Sequence, residues 1–216
     1  ETRTYNTNGE LLWVKEYPTS NSVQSTLDST NIYAVIDSFH VQYINGIPQG
    51  GIYKHKLMKY DRSGNLVDST DIINFHTPML SNNFYVSSIT TDDDGNILIS
   101  GNFEGVVIFN NIDYNAGSDK KGFLAKFDNM LTPKWFNVIG DTHYTETTVV
   151  KSTGGFYYVA WAETQSNIGD KPDYHLTKYD QFGNLIANFN LSSTKVVVGY
   201  SLEVSHDDIY IAGLFQ

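Results

Sequence analysis

The stretch Leu57-Met58-Lys59-Tyr60-Asp61-Arg62-Ser63-Gly64-Asn65-Leu66-Val67 decides the fold, because it recurs as Leu176-Thr177-Lys178-Tyr179-Asp180-Gln181-Phe182-Gly183-Asn184-Leu185-Ile186. Each copy is an apolar run, a turn whose glycine accepts positive φ, and a second apolar run, which is the pattern of a β-hairpin. A third copy opens the chain as Thr4-Tyr5-Asn6-Thr7-Asn8-Gly9-Glu10-Leu11-Leu12. A fourth, Leu124-Ala125-Lys126-Phe127-Asp128-Asn129-Met130-Leu131-Thr132, keeps the aromatic and the aspartate and loses the Gly-Asn turn. Trp13 and Trp135 each lie eight residues beyond the repeat aromatic, at equivalent positions, and are read as core.

A second unit alternates with the first. Its copies are Asp28-Ser29-Thr30-Asn31-Ile32-Tyr33-Ala34-Val35, Asp93-Asp94-Gly95-Asn96-Ile97-Leu98-Ile99-Ser100, Ser152-Thr153-Gly154-Gly155-Phe156-Tyr157-Tyr158-Val159 and His206-Asp207-Asp208-Ile209-Tyr210-Ile211-Ala212. Each is a polar turn followed by a nearly continuous apolar strand, which requires cover on both faces. Ile32, Ile97, Phe156 and Ile209 follow one another at 65, 59 and 53 residues. Two hairpins per period give one four-stranded sheet per repeat, and four-stranded sheets covered on both faces by their neighbours are the blades of a β-propeller.

Composition agrees. Valine, isoleucine, threonine and the aromatics total 82 of 216 residues against seven alanines, which favours pleated sheet over helix. The fold class read from the sequence is all-β, with four-stranded antiparallel blades. The absence of cysteine excludes disulfides, thiolate metal sites and cysteine nucleophiles. A net charge of −10 with two arginines argues against nucleic acid, and no apolar run is long enough to insert a helix in a membrane. The chain begins at Glu1 without a leader and is read as a processed or excised segment.

Gly101-Asn102-Phe103-Glu104-Gly105-Val106-Val107-Ile108-Phe109, followed by Gly122-Phe123-Leu124-Ala125-Lys126-Phe127-Asp128, resembles the bacterial β-propeller repeat called SBBP. Lys59-Tyr60-Asp61, Lys178-Tyr179-Asp180 and Gly9-Glu10-Leu11-Leu12-Trp13 fit the same template, so the resemblance spans essentially the whole chain. Leu131-Thr132 departs from its Gly-Asn turn, and Asp68 and Ala187 stand where tryptophan is usual. The resemblance implies a secreted or outer-surface protein of the kind found in Bacteroidetes, adhesin-like, without a catalytic motif.

The phase of the ends leaves two arrangements open. The repeats fall at 23–72, 85–140 and 146–192, with an outer hairpin at 1–18 and an inner hairpin at 200–216. Joining these two would close a four-blade ring; otherwise the chain is a segment of a larger propeller, with other domains of a longer chain as partners.

Three groups of residues are candidates for chemistry. Trp161, Glu163, Tyr144 and His143 cluster near the start and end of inner strands, where an indole beside a carboxylate suits sugar stacking, and inter-blade packing is the competing role. Trp161 is aligned with Asn102 and Asp37 of the neighbouring repeats. Asp92, Asp94 and Asn96 alternate as in a calcium loop, making calcium the one cofactor the pattern allows. The glycine falls one place early for that loop and no glutamate closes it, so a hairpin turn is the expected role. The six histidines form no metal-ligand spacing, and no nucleophile elbow is present.

The sequence-level expectation is therefore a non-enzymatic extracellular module, a binding or display scaffold for glycan or protein partners. Recognition would lie on the unequal inserts Phe39–His55, Glu104–Gly122 and Glu163–His175. Two alternatives stand beside it: a structural repeat of a long surface adhesin or secretion-system cargo, and a polysaccharide hydrolase or lyase carried on a propeller.

Overall fold

The structure is a computed structural model that describes residues 2–5, 8–15, 20–44, 47–75, 84–140, 144–164, 173–191, 197–205 and 208–215. The described residues form sixteen strands, and the chain divides into two compact units, Glu1–Asn82 and Asn83–Gln216. No described helix is long and apolar enough to cross a membrane.

The first unit holds a hairpin, β1 (Thr2–Tyr5) and β2 (Leu11–Lys15), and a four-stranded antiparallel meander. The meander runs β3 (Ser20–Leu27), β4 (Asn31–Ile44), β5 (Ile47–Asp61) and β6 (Leu66–Asp71). Ile32, Ala34 and Tyr60 form a buried cluster in this unit, and Trp13 from β2 packs on it beside Met58.

The second unit repeats the meander twice. Its first sheet is β7 (Phe84–Thr91), β8 (Ile97–Phe109), β9 (Ile112–Phe127) and β10 (Pro133–Ile139). Its second is β11 (Tyr144–Thr153), β12 (Phe156–Thr164), β13 (Asp173–Asp180) and β14 (Leu185–Asn190). One parallel bridge, Tyr144 to Lys120, links the two. A hairpin of β15 (Val197–Ser205) and β16 (Asp208–Phe215) follows.

The nearly continuous apolar strands are explained by burial on both faces. One face of the β11–β14 sheet presents Tyr157, Val159, Trp161 and Tyr179 to Leu98, Leu124 and Ile139 of the preceding sheet. Its other face presents Tyr158, Ala160 and Leu176 to Leu202 of β15, with Val204 and Ile211 at the margin. The repeat extends to the backbone register. The first strand of three inner hairpins skips one residue at the same place: Val86/Ser88 against Gly101/Ser100, Thr147/Val149 against Trp161/Ala160, and Gly199/Ser201 against Gly213/Ala212.

Two expectations change here. The inserts 39–55 and 104–122 are hairpin arms, because β4–β5 pairing runs out to Ile44 and Ile47 and β8–β9 pairing to Phe109 and Ile112. The second arm carries Phe109 onto Phe127 and Phe136, at 5.4 and 5.3 Å between ring centroids, and Tyr114 onto Phe136 at 4.6 Å. Residues 165–172 of the third insert lie outside the described residues. The pairing that would close a four-blade ring is not seen among the described residues: β1–β2 and β15–β16 are separate two-stranded sheets.

Candidate ligand cleft between two stacked sheets

Three of the outer hairpins are built on one aspartate each. Asp61 Oδ1 accepts the backbone N–H groups of Ser63 and Asn65, and Asn65 Nδ2 donates to Oδ2. Asp180 does the same with Phe182 and Asn184, all at 2.8–2.9 Å. The side-chain amide of Asn65 or Asn184 is the main force holding each carboxyl below its ordinary value of 3.8. Asp128 repeats the backbone pattern with Met130 and Thr132. The fourth hairpin therefore keeps the turn that its sequence lacks, with Leu131 at φ 60° where Gly64 and Gly183 have 84° and 86°.

The two tryptophans at equivalent positions make equivalent contacts. Trp13 Nε1 donates to the carbonyl of Arg62 at 3.1 Å, and Trp135 Nε1 to that of Gln181 at 3.3 Å. In each case the indole lies against the turn glycine: a Cβ on Gly64 or Gly183 would sit 2.9 Å from the ring. Asn137 Nδ2 adds a 2.7 Å bond to the Gly183 carbonyl. Both tryptophans are only partly buried, so they are clamps between an outer strand and the next turn rather than interior core.

Behind Trp135 lies a charged triad. Lys126 Nζ donates to the Tyr157 hydroxyl at 2.5 Å, and that hydroxyl donates to Asp92 Oδ2 at 2.9 Å. Lys126 Nζ also stands 3.4 Å from Asp92 Oδ2, with side chains 10% and 7% exposed. Burial pushes the Asp92 carboxyl up; hydrogen bonds from Asn96 and Tyr157 and the charge of Lys126 together outweigh it and hold the group below 3.8. Burial also drives the Tyr157 phenol well above its usual range, with Asp92 adding to the effect.

These elements leave a cleft of about 330 Å³ lined by Asp94, Asn96, Lys126, Lys134, Trp135, Gln181 and Phe182. Lys134 is paired with Asp128 at 2.7 Å. Phe182 is 70% exposed at the tip of its turn, an unusual place for a phenyl ring, and Asp94 and Gln181 are exposed as well. The cleft unites three segments far apart in sequence, so its lysines, Gln181 and Phe182 carried no local signal. The recurring tryptophan with the turn it clamps, and the Asp92-Asp93-Asp94-Gly95-Asn96 run, are the parts legible in the sequence.

The residues expected to ligate calcium belong to this region. Both Asp92 oxygens accept hydrogen bonds, from the N–H groups of Asp94 and Asn96 and from Asn96 Nδ2 and Tyr157, so the turn is closed by its own bonds. Among the described residues no three acidic or histidine side chains converge as metal ligands.

The other expected cluster lies at the opposite end of β12. Trp161 is 6% exposed, stacked on His175 at 4.2 Å and 15°, with Nε1 donating to Thr177 Oγ1 at 2.7 Å. A ring so enclosed has no open face for a sugar. Its register differs from the sequence alignment by one residue: Tyr157 pairs with Tyr179 as Ile97 does with Phe127, which aligns Trp161 with Gly101 and Ala162 with Asn102. One residue reverses the face of a strand, which sends the indole into the inter-sheet core. Glu163 is brought to His175, Oε1 to Nε2 at 3.4 Å. His143 and the side chain of Tyr144 lie outside the described residues. A second buried polar pair, His55 Nδ1 and Asp37 Oδ1 at 2.7 Å, links β4 and β5 in the first unit. The chain matches no model of a known protein family, and no curated protein sequence matches it.

Proposed function

We propose that the chain is a non-enzymatic binding or display module of β-propeller type, related to SBBP repeats, that works outside the cell or on its outer surface. Glycan or protein is the partner class. The propeller reading is supported by three meanders of one topology, a shared register skip, and a sheet buried on both faces by its neighbours.

The observation that carries the function is the chemistry of the cleft. It offers an indole, an exposed phenyl ring, amides and a carboxylate, a mixture suited to holding a ligand. Its neighbouring carboxyls, Asp92 and Asp128, are committed to turns and held below their ordinary value, the opposite of what a general acid requires. Hydrolysis of a glycosidic bond by two carboxyl groups needs one of them protonated near neutral pH.

The experiment is to incubate the purified chain with a panel of soluble polysaccharides and measure retention and new reducing ends together. Retention without new ends supports the module. Release of new or unsaturated ends would establish the hydrolase or lyase, and no retention on any polysaccharide would leave protein display as the role.

A further inference from the structure

We infer that the cleft between the β7–β10 and β11–β14 sheets takes an uncharged saccharide ring. This rests on the binding-module reading and narrows it to one seat and one ligand class.

Charge comes first. Lys126 and Lys134 line the cleft, but each already has a carboxylate partner, Asp92 at 3.4 Å and Asp128 at 2.7 Å. The remaining charge in the lining is Asp94, on a chain of net charge −10. An anionic ligand would meet no uncompensated cation and would face Asp94. The two lysine–carboxylate pairs favour neither sign, and Asp94, exposed to solvent, offers a cation only a screened attraction. A neutral ligand needs no counter-charge from the lining.

Shape and hydrogen bonding follow. A volume of about 330 Å³ is at the small end for ligand sites, on the scale of one or two sugar rings. Trp135 and the 70% exposed Phe182 supply apolar surface, which suits the C–H face of a pyranose. Around them stand Asp94 as acceptor, Lys134 as donor, and the amide residues Asn96 and Gln181. Vicinal hydroxyls donate and accept side by side, and carboxylate, amide and ammonium groups satisfy both needs. Asn96 spends its Nδ2 on Asp92, so its Oδ1 is the atom left for a ligand hydroxyl. Phe182 belongs to neither of the two buried clusters that cover the β11–β14 sheet, and ligand contact gives an exposed phenyl at that turn a role.

The cleft is complete once among the described residues. In the first unit, Trp13 clamps the Gly64 turn in the same way, but the hairpin β1–β2 has no inner hairpin in its own sheet to supply the counterparts of Asp94 and Asn96. Among the described residues one such site is therefore present.

Isothermal titration of the whole chain tests this with neutral oligosaccharides (gluco-, manno- and xylo-oligomers) against oligogalacturonate and a lysine-rich peptide. At least one neutral series should bind with a stoichiometry of one. Phe182→Ala should weaken it about tenfold, the equivalent of a single good apolar contact. Leu66→Ser, at a 53% exposed position in the first unit, should leave it unchanged. Preference for oligogalacturonate or the peptide would overturn the neutral assignment. Neutral binding that Phe182→Ala does not weaken would move the seat elsewhere while leaving the module reading intact. No binding of any probe would overturn the assignment and count against a glycan partner altogether.

Discussion

Trp135 on β10 and Gly183 in the turn before β14 form a clamp that leaves no room for a methyl group, since a Cβ on Gly183 would lie 2.9 Å from the indole. Trp13 and Gly64 repeat it at the same distance in the first unit. The glycine has two physical duties there, a φ near +85° and contact with a ring. Leu131 shows that the first duty alone does not demand glycine. It holds φ 60° with its side chain 3% exposed, so burial of the isobutyl group offsets the backbone strain.

Gly183→Ala should therefore cost more than its backbone conformation predicts. The positive φ alone accounts for about 1–2 kcal/mol, and the indole must also move. The Trp135 fluorescence of the variant should shift to longer wavelength as the clamp opens, and chemical denaturation should give a loss above 2 kcal/mol, roughly. An unchanged spectrum with a loss of only about 1 kcal/mol would mean the contact carries no weight.

Gly101 imposes a different limit. Its backbone φ is not in the left-handed region, yet a Cβ would collide with the Tyr85 carbonyl and lie 2.7 Å from the Phe123 ring. Its own carbonyl accepts a 2.8 Å bond from Thr147 Oγ1 of the next sheet. Gly101→Ala should destabilise the second unit by about 3 kcal/mol or more, while Thr147→Val should cost only about 1 kcal/mol. Thermal unfolding of the two variants gives the order directly, and the reverse order would refute the close approach.

The Asp92–Lys126–Tyr157 triad predicts a pH signature. The carboxyl is depressed in the folded chain, so its contribution is fully present above its unfolded value near 3.8 and is lost as pH falls through the lower folded value. Asp92→Asn leaves a buried ammonium without its partner, at a cost of about 3 kcal/mol at neutral pH. The gap in melting temperature between the parent and Asp92→Asn should narrow as pH drops below 3.8. A gap that stays constant down to pH 2.5 or so would show that the triad is not ionised as described.

Most of the hairpins were legible because they depend on a local device, an aspartate accepting two backbone N–H groups across its turn. Sheet composition followed from the double-faced apolar strands. The Asp128 turn, legible as a copy without its Gly-Asn, persists because the aspartate supplies its hydrogen bonds. Three features escaped for definite reasons. The arm at 104–122 looked like a polar loop because its covering residues are two rings, Phe109 and Tyr114, spread over a hairpin. The sequence alone puts Trp161 one residue out of register because pairing across β12 and β13 fixes it, and no feature within β12 does. The cleft joins residues 94–96, 126–135 and 181–182, and such a meeting has no period in the sequence.

A fluorine spectrum tests the proposed ligand seat at the Trp135 clamp most directly. A chain labelled with 5-fluorotryptophan has three resonances, for Trp13, Trp135 and Trp161. Trp161 is enclosed, Trp13 belongs to the other unit, and Trp135 lines the cleft. On addition of a neutral oligosaccharide that the chain retains, the Trp135 resonance alone should move. Movement of the Trp161 or Trp13 resonance with Trp135 unchanged would contradict the account.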